Sequence, residues 1–236
     1  MKTAVICIAK NEENYLQEWI DYHKKLGFDD VYVYQNDWTF SKQKDDAIYK
    51  TIEGQDCQLK AYNSFIDEYY DKYDFAAFFD VDEFLSLKCH NNVKQFLSQY
   101  LAVQAIAVHW RIFGDSGIKN VDNDYSVLNR FTHCGSNLAP NCKVILNFKQ
   151  CKNKVKFSYN PHIITADLVN TSMLAIYKHI GCNKDIDGKL ELAELNHYCN
   201  KTYEEALSRR YHGTCACVNG MNLNVYKDKE EFDKWF

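Results

Sequence analysis

Short apolar runs alternate with stretches of helical periodicity over residues 1–113, the rhythm of βα units that build a mostly parallel sheet flanked by helices. Thr3–Ala9 is a continuous apolar run, as in a strand covered on both faces. Asn11 stands where it can cap a helix carrying Glu12 and Glu13 in its first turn. Tyr15, Leu16, Trp19, Ile20, His23 and Leu26 then recur at helical spacing, Lys24 and Lys25 suit the last turn, and Gly27 closes it. Residues 31–35 read as the second strand, 46–52 as a helix and 58–60 as a short strand. A further helix puts Phe65, Ile66, Tyr69, Tyr70 and Tyr73 on one face. Residues 75–79 form an apolar strand that stops abruptly at Asp80-Val81-Asp82-Glu83. Residues 93–100 predict a helix and 105–113 another buried strand. From Gly114 onward the pattern shortens to strands over 125–132, 143–148, 157–165, 173–178 and 191–198, closed by a helix over 203–211.

Composition narrows the class. The chain has 236 residues, 46% hydrophobic and 25% charged, which excludes disordered, collagen-like and coiled-coil proteins. Two prolines and nine glycines leave no linker-like stretch, so one domain over residues 1–236 is expected. No apolar run reaches the ~18 residues of a membrane span. The apolar stretch at the start is too short for a signal peptide, which points to a cytoplasmic protein. A net charge of −4 argues against a nucleic-acid binder. Ten cysteines are read as reduced, mostly buried side chains.

The acidic tripeptide carries the first chemical signal. Ligands of open α/β sheets bind at the carboxyl ends of strands. If the backbone stays extended, Asp80 and Asp82 point the same way and can share one cation. Paired carboxylates favour Mg²⁺ or Mn²⁺, which take further oxygens from a ligand's phosphates. Glu83 adds a third acid, whose repulsion a cation would relieve. The competing reading is a solvated turn. A haloacid-dehalogenase-type phosphatase would want this motif on the first strand, which is not where it stands here.

Five stretches in order carry a resemblance. They are residues 9–27 (Ala9-Lys10-Asn11-Glu12, then Glu18-Trp19 and Tyr22-His23, then Leu26-Gly27), 58–63 (Gln58, Tyr62, Asn63), 78–84 (Phe-Phe-Asp-Val-Asp-Glu-Phe), 110–117 and 195–205 (Leu195-Asn196-His197-Tyr198, then Lys201-Thr202). Together they resemble GT-A glycosyltransferases of families 2 and 92, across nearly the whole chain. The resemblance implies a GT-A fold, Rossmann-like, with a nucleotide-sugar-binding half over 1–113 and an acceptor-binding half over 114–236. It implies transfer of a sugar from a nucleotide-sugar donor, a UDP-sugar foremost and with inversion, with Mn²⁺ or Mg²⁺ on the diphosphate. Asp80, Asp82 and His197 look like the metal ligands. Ala9, Lys10, Asn11 and Glu12, with Asn36, Gln58, Tyr62, Asn63, Asp80, Val81 and Asp82, match donor-lining positions. The chain departs from the family after the second strand, where it reads Gln35-Asn36-Asp37-Trp38, and near its end, where Arg209-Arg210 precede Tyr211-His212-Gly213.

Glycosyl transfer needs charge neutralisation at the leaving diphosphate and a base for the acceptor hydroxyl. Lys201, Arg209 and Arg210 are candidates to face the diphosphate. Asp115, between two glycines at the end of the strand over 105–113, is the candidate base, with Asp167 and Glu194 as rivals and a simple turn as the competing reading. His197 could equally be a satisfied core residue. His109, His162 and His179 show no metal-ligand spacing, and Cys215-Ala216-Cys217 lacks a second half for zinc. The expected acceptor is a glycan or lipid-linked glycan in surface polysaccharide or lipo-oligosaccharide synthesis, with peripheral contact to a membrane open. The alternatives are a non-catalytic sugar-nucleotide-binding relic and a sugar nucleotidyltransferase, which would want a glycine-rich loop where Ala9-Lys10-Asn11-Glu12 stands.

Overall fold

A computed structural model of the chain describes residues 1–37, 39–120, 125–151, 155–172, 175–176, 191–199 and 201–205. In chain order come β1 (Thr3–Ala9), α1 (Leu16–Leu26), β2 (Asp30–Asn36), β3 (Ile48–Ile52), α2 (Gln58–Tyr69), β4 (Phe75–Phe78), β5 (Glu83–Leu87) and α3 (Val93–Leu97). Then follow β6 (Ala105–Ile112), α4 (Val127–Arg130), β7 (Cys142–Asn147), β8 (Leu168–Asn170), β9 (Ala175–Ile176) and β10 (Ala193–His197). The sheet runs β3-β2-β1-β4-β7-β6-β10-β5, with β8 beside β6 and β9 beside β8. β3, β2, β1 and β4 are mutually parallel, as are β6 with β10 and β8. β7 runs antiparallel between β4 and β6, and β5 closes the edge antiparallel to β10. This is the α/β, mostly parallel, helix-flanked sheet that the sequence rhythm predicts.

The unbroken apolar run of β1 has its cause in two cores, one on each face. Val5, Cys7 and Ala9 pack with Leu16, Trp19 and Ile20 of α1 and with Val93, Phe96 and Leu97 of α3. Ala4, Ile6 and Ile8 pack on the other face with Ala61, Tyr62, Phe65 and Ile66 of α2. Each Val or Ile fully buried this way stabilises by roughly 1.5–3 kcal/mol. α1 ends as expected: Gly27 takes φ 105° and its N–H reaches the Lys24 carbonyl at 3.0 Å.

Several elements differ from expectation. Residues 46–52 do not form a helix; 48–52 form β3, an edge strand whose Ile48, Tyr49 and Thr51 suit an extended, half-covered surface. Residues 58–60 are the first turn of α2, not a strand. Asn11 does not cap α1. It sits at φ 58°, residues 12–15 form a separate turn, and the helix starts at Leu16. Within 125–132 lies the short helix α4, whose start Ser126 caps by accepting from the Asn129 N–H. Residues 157–165 contribute one bridge, Phe157 to Ile164. β5 and β8 were not foreseen. The closing helix is described for residues 203–205. Its remainder, Trp38, most of 173–178, His179, Arg209, Arg210, Cys215 and Cys217 lie outside the described residues. No helix among the described residues is long and apolar enough to cross a membrane.

Candidate active site

The acidic tripeptide is a turn rather than an extended strand end. The Phe79 N–H still bonds the Ile6 carbonyl of β1 at 3.0 Å, but the Glu83 N–H then closes on the Asp80 carbonyl at 3.0 Å. The Glu83 side chain reinforces the turn, its Oε2 accepting the Asp80 N–H at 2.8 Å. α1 clamps the turn from one side, since the Trp19 indole donates to the Glu83 carbonyl at 2.8 Å. β10 clamps it from the other, the Tyr198 N–H donating to the Asp82 carbonyl at 2.8 Å. Val81 is buried beneath. The expected convergence of two extended carboxylates is therefore replaced by two carboxylates with separate surroundings.

Asp80 receives three side-chain donors. Gln58 Nε2 lies 2.5 Å and the Tyr62 hydroxyl 3.2 Å from Oδ1, and Lys143 Nζ lies 2.8 Å from Oδ2. Gln58 and Tyr62 reach the same oxygen because they stand one helical turn apart on α2. Lys143 comes from β7, the antiparallel neighbour of β4, and its side chain is 0% exposed. Burial would raise the Asp80 carboxyl, but the Lys143 ammonium outweighs it and holds the group below the usual carboxylate range. Burial would likewise lower the Lys143 ammonium, and Asp80 and Glu83 reverse this and raise it. Glu83 goes the other way: burial, with the charges of Asp80 and Asp82 added, pushes its carboxyl well up. Lys143 is the site residue that sequence reasoning missed.

Asp82 faces β10. His197 Nε2 lies 3.5 Å from Asp82 Oδ1, brought there because His197 pairs with Glu83 across β5 and β10. His197 packs under Trp110, ring centroids 4.2 Å apart, and its buried Nδ1 has no hydrogen-bond partner. Trp110 also meets His162 edge-on at 5.1 Å. His162 bonds the Cys142 carbonyl through Nδ1 at 2.8 Å, and burial together with the nearby Lys143 charge lowers it to about 4. His162 thus joins the cluster although its sequence spacing gave no sign of it.

The carboxyl ends of β1, β2 and β3 lie level, because Ala9 pairs with Gln35 and Asn36 with Ile52. Lys10, beyond β1, bridges to Asp37, beyond β2, at 3.3 Å. The other Asp37 oxygen accepts the Gly54 N–H at 2.9 Å, and Asn36 Nδ2 donates to the Ile52 and Gly54 carbonyls at 3.3 and 2.9 Å. Ala9 is buried, and Asn11 and Glu12 occupy the turn that follows. Asn63 is placed elsewhere: its amide exchanges two hydrogen bonds with the Phe157 backbone, at 2.9 and 3.0 Å.

Asp115 stands two residues past Phe113, whose N–H bonds the His197 carbonyl at 3.0 Å. Its carboxylate accepts the Gly117 N–H at 2.9 Å, the turn arrangement that the Ser-Gly context suggested. The rival Glu194 is engaged by Lys88 and, at 2.9 and 3.2 Å, by Arg111. The backbone N–H of Asp167 bonds the Gln104 side chain at 3.1 Å. Lys201 lies with its ammonium 4.5 Å from the centre of the Tyr15 ring. Next to it Thr202 and Glu205 form a reciprocal cap, and Glu205 receives Arg130 at 2.7 and 3.1 Å and the Tyr15 hydroxyl at 2.5 Å. Burial would raise Glu205, but Arg130, Tyr15 and Thr202 bring it to about 2.

Among the described residues no three His, Cys, Asp or Glu side chains are grouped to hold a metal ion. The Asp82–His197 pair still fits one. Its 3.5 Å separation is longer than a good hydrogen bond, and two ligands each about 2.1 Å from one ion span a gap of that size. Mg²⁺ and Mn²⁺ commonly take only one or two protein ligands and complete their shell with water and phosphate oxygens.

No family model matches the sequence, and no curated protein matches it. Among solved structures, Mycobacterium tuberculosis H37Rv Rv0371C, crystallised with manganese, aligns at 7% identity and TM-score 0.37 over 65% of this chain and 77% of its own. HddC from Yersinia pseudotuberculosis, complexed with GMP-PN, aligns at 13% and 0.38 over 67% and 83%. The 4-diphosphocytidyl-2C-methyl-D-erythritol synthase of Anaerococcus prevotii DSM 20548 aligns at 10% and 0.32 over 63% and 70%. Likenesses this distant say nothing of the reaction, which is read from the site itself.

Proposed function

We propose that the chain is a metal-dependent GT-A glycosyltransferase, moving a sugar from a nucleotide-sugar donor, a UDP-sugar foremost, to a hydroxyl of a glycan or lipid-linked glycan. The observation that carries this reading is the Asp82–His197 pair, set beside the Asp80 cluster at the carboxyl edge of the parallel strands. A bound Mn²⁺ or Mg²⁺ supplies Lewis-acid neutralisation of the leaving diphosphate. Asp82 and His197 hold that ion, with Val81 fixing the turn between the two aspartates. Ala9, Lys10, Asn11, Glu12 and Asn36 line the nucleoside end of the crevice, Gln58 and Tyr62 fix Asp80, and Asn63 steadies the neighbouring segment. Lys201, Arg209 and Arg210 draw the diphosphate. Asp115 takes the proton of the acceptor hydroxyl, an in-line displacement that inverts the anomeric centre. Acceptors carried on lipid would bring the protein to the cytoplasmic face of a membrane.

The test is release of nucleotide from a panel of UDP-, GDP-, CMP- and dTDP-sugars with Mn²⁺ and a mixture of acceptor glycans. One donor should turn over, and Asp82→Asn should lower kcat by at least about a hundredfold. Pyrophosphate release from a nucleoside triphosphate and a sugar 1-phosphate, with every nucleotide sugar inert, would assign a nucleotidyltransferase instead. Donor binding without turnover under any condition would mark a relic.

A further inference from the structure

We propose that Lys143 is the permanent counter-cation of Asp80, so that the two aspartates of the turn divide their tasks: Asp80 is committed to Lys143, Gln58 and Tyr62, and the divalent ion rests on Asp82 and His197 alone. The inference deepens the glycosyltransferase reading and takes its metal site from it. Three observations carry it. Both Asp80 oxygens are already engaged, one by Gln58 and Tyr62 at 2.5 and 3.2 Å, the other by Lys143 at 2.8 Å. Lys143 cannot withdraw, because its side chain is 0% exposed and rooted in β7 between β4 and β6. The neighbouring acid Glu83 is occupied as well, its Oε2 on the Asp80 N–H at 2.8 Å. A dication seated on Asp80 would stand against a trapped ammonium, and burial strengthens that repulsion. On the Asp82 side the nearest ring is the imidazole of His197, which can itself be a ligand.

Mn²⁺ alone is the probe, its free concentration read by electron paramagnetic resonance, with folding of each variant checked by circular dichroism. Asp82→Asn and His197→Ala should each weaken Mn²⁺ binding by at least about tenfold. Asp80→Asn alone is uninformative, because it strands the Lys143 charge beside the ion. The decisive variant is the neutral pair Lys143→Met with Asp80→Asn. It should bind Mn²⁺ within about threefold of the wild type, since it removes equal and opposite charges and no ligand. Lys143→Met by itself frees the Asp80 carboxylate and should tighten Mn²⁺ by about tenfold. If it fails to fold, the neutral pair still decides. A loss of about tenfold or more in the neutral pair, or no Mn²⁺ binding by the wild type, overturns the inference. Should the Mn²⁺ pattern hold while no nucleotide sugar is turned over, the division between the aspartates stands and the glycosyltransferase reading falls.

Discussion

Asp80 and Asp82 lie two positions apart and meet opposite chemistry, one an ammonium and the other an imidazole. Tyr62 links the two halves of this arrangement, its hydroxyl 3.2 Å from Asp80 and 3.3 Å from the Phe79 carbonyl. Tyr62→Phe removes that donor while keeping the ring between Phe78 and Phe157. It should cost about 1 kcal/mol in urea unfolding and raise the donor KM about threefold to tenfold. A KM unchanged within error would separate Tyr62 from the donor site. The Gln58–Tyr62 partnership was legible in the sequence, because a four-residue spacing on a helix puts both on one face. Lys143 was not, since its partner lies 63 residues away and nothing in Cys142–Asn147 points to it. The available signal was its own position: a lysine inside an apolar strand is rarely buried unless paired.

α1 is the element that holds the acidic turn in place. Its Trp19 indole bonds the Glu83 carbonyl and its Tyr22 hydroxyl bonds the Leu85 carbonyl, both at 2.8 Å, so the helix grips β5 along its length. Trp19→Phe leaves a buried carbonyl without its donor and opens a small void. It should lower unfolding free energy by about 2–3 kcal/mol and reduce activity more than a distant core change of equal cost. The apolar faces of α1 and β1 made this part readable from periodicity alone. β3 was misread because the seven residues from Asp46 to Ile52 show no period long enough to decide, and tertiary pairing with β2 settles it. β5 was hidden because the acidic turn masks its start, and its partner β10 lies a hundred residues downstream.

Acid sensitivity belongs to the molecule as a whole. His23 sits among Trp19, Tyr22, Phe28, Phe79 and Phe84, 0% exposed, its Nδ1–H donating to the Trp19 carbonyl at 2.9 Å. Burial lowers it from 6.5 to about 3, so the folded chain keeps it neutral. Its contribution is complete above pH 6.5 and drains away as pH falls towards 3, when only the unfolded chain takes up the proton. Glu205 adds a second step, lost between pH 4.5 and about 2 as its ion pair with Arg130 is protonated. Urea unfolding at pH 7, 5 and 3.5 should show falling stability, and His23→Phe should flatten the change between pH 7 and 5 by on the order of 2 kcal/mol. An equal slope in that variant would remove His23 as the cause.

The site as a whole is tested most directly by thermal shift of the wild-type protein with UDP-, GDP-, CMP- and dTDP-sugars, each with and without Mn²⁺. The expected result is a rise in Tm for one nucleotide only, present with Mn²⁺, absent without it, and lost in Asp82→Asn. A shift indifferent to Mn²⁺, or none for any nucleotide sugar, would contradict a metal-dependent sugar-transfer site at Asp82 and His197.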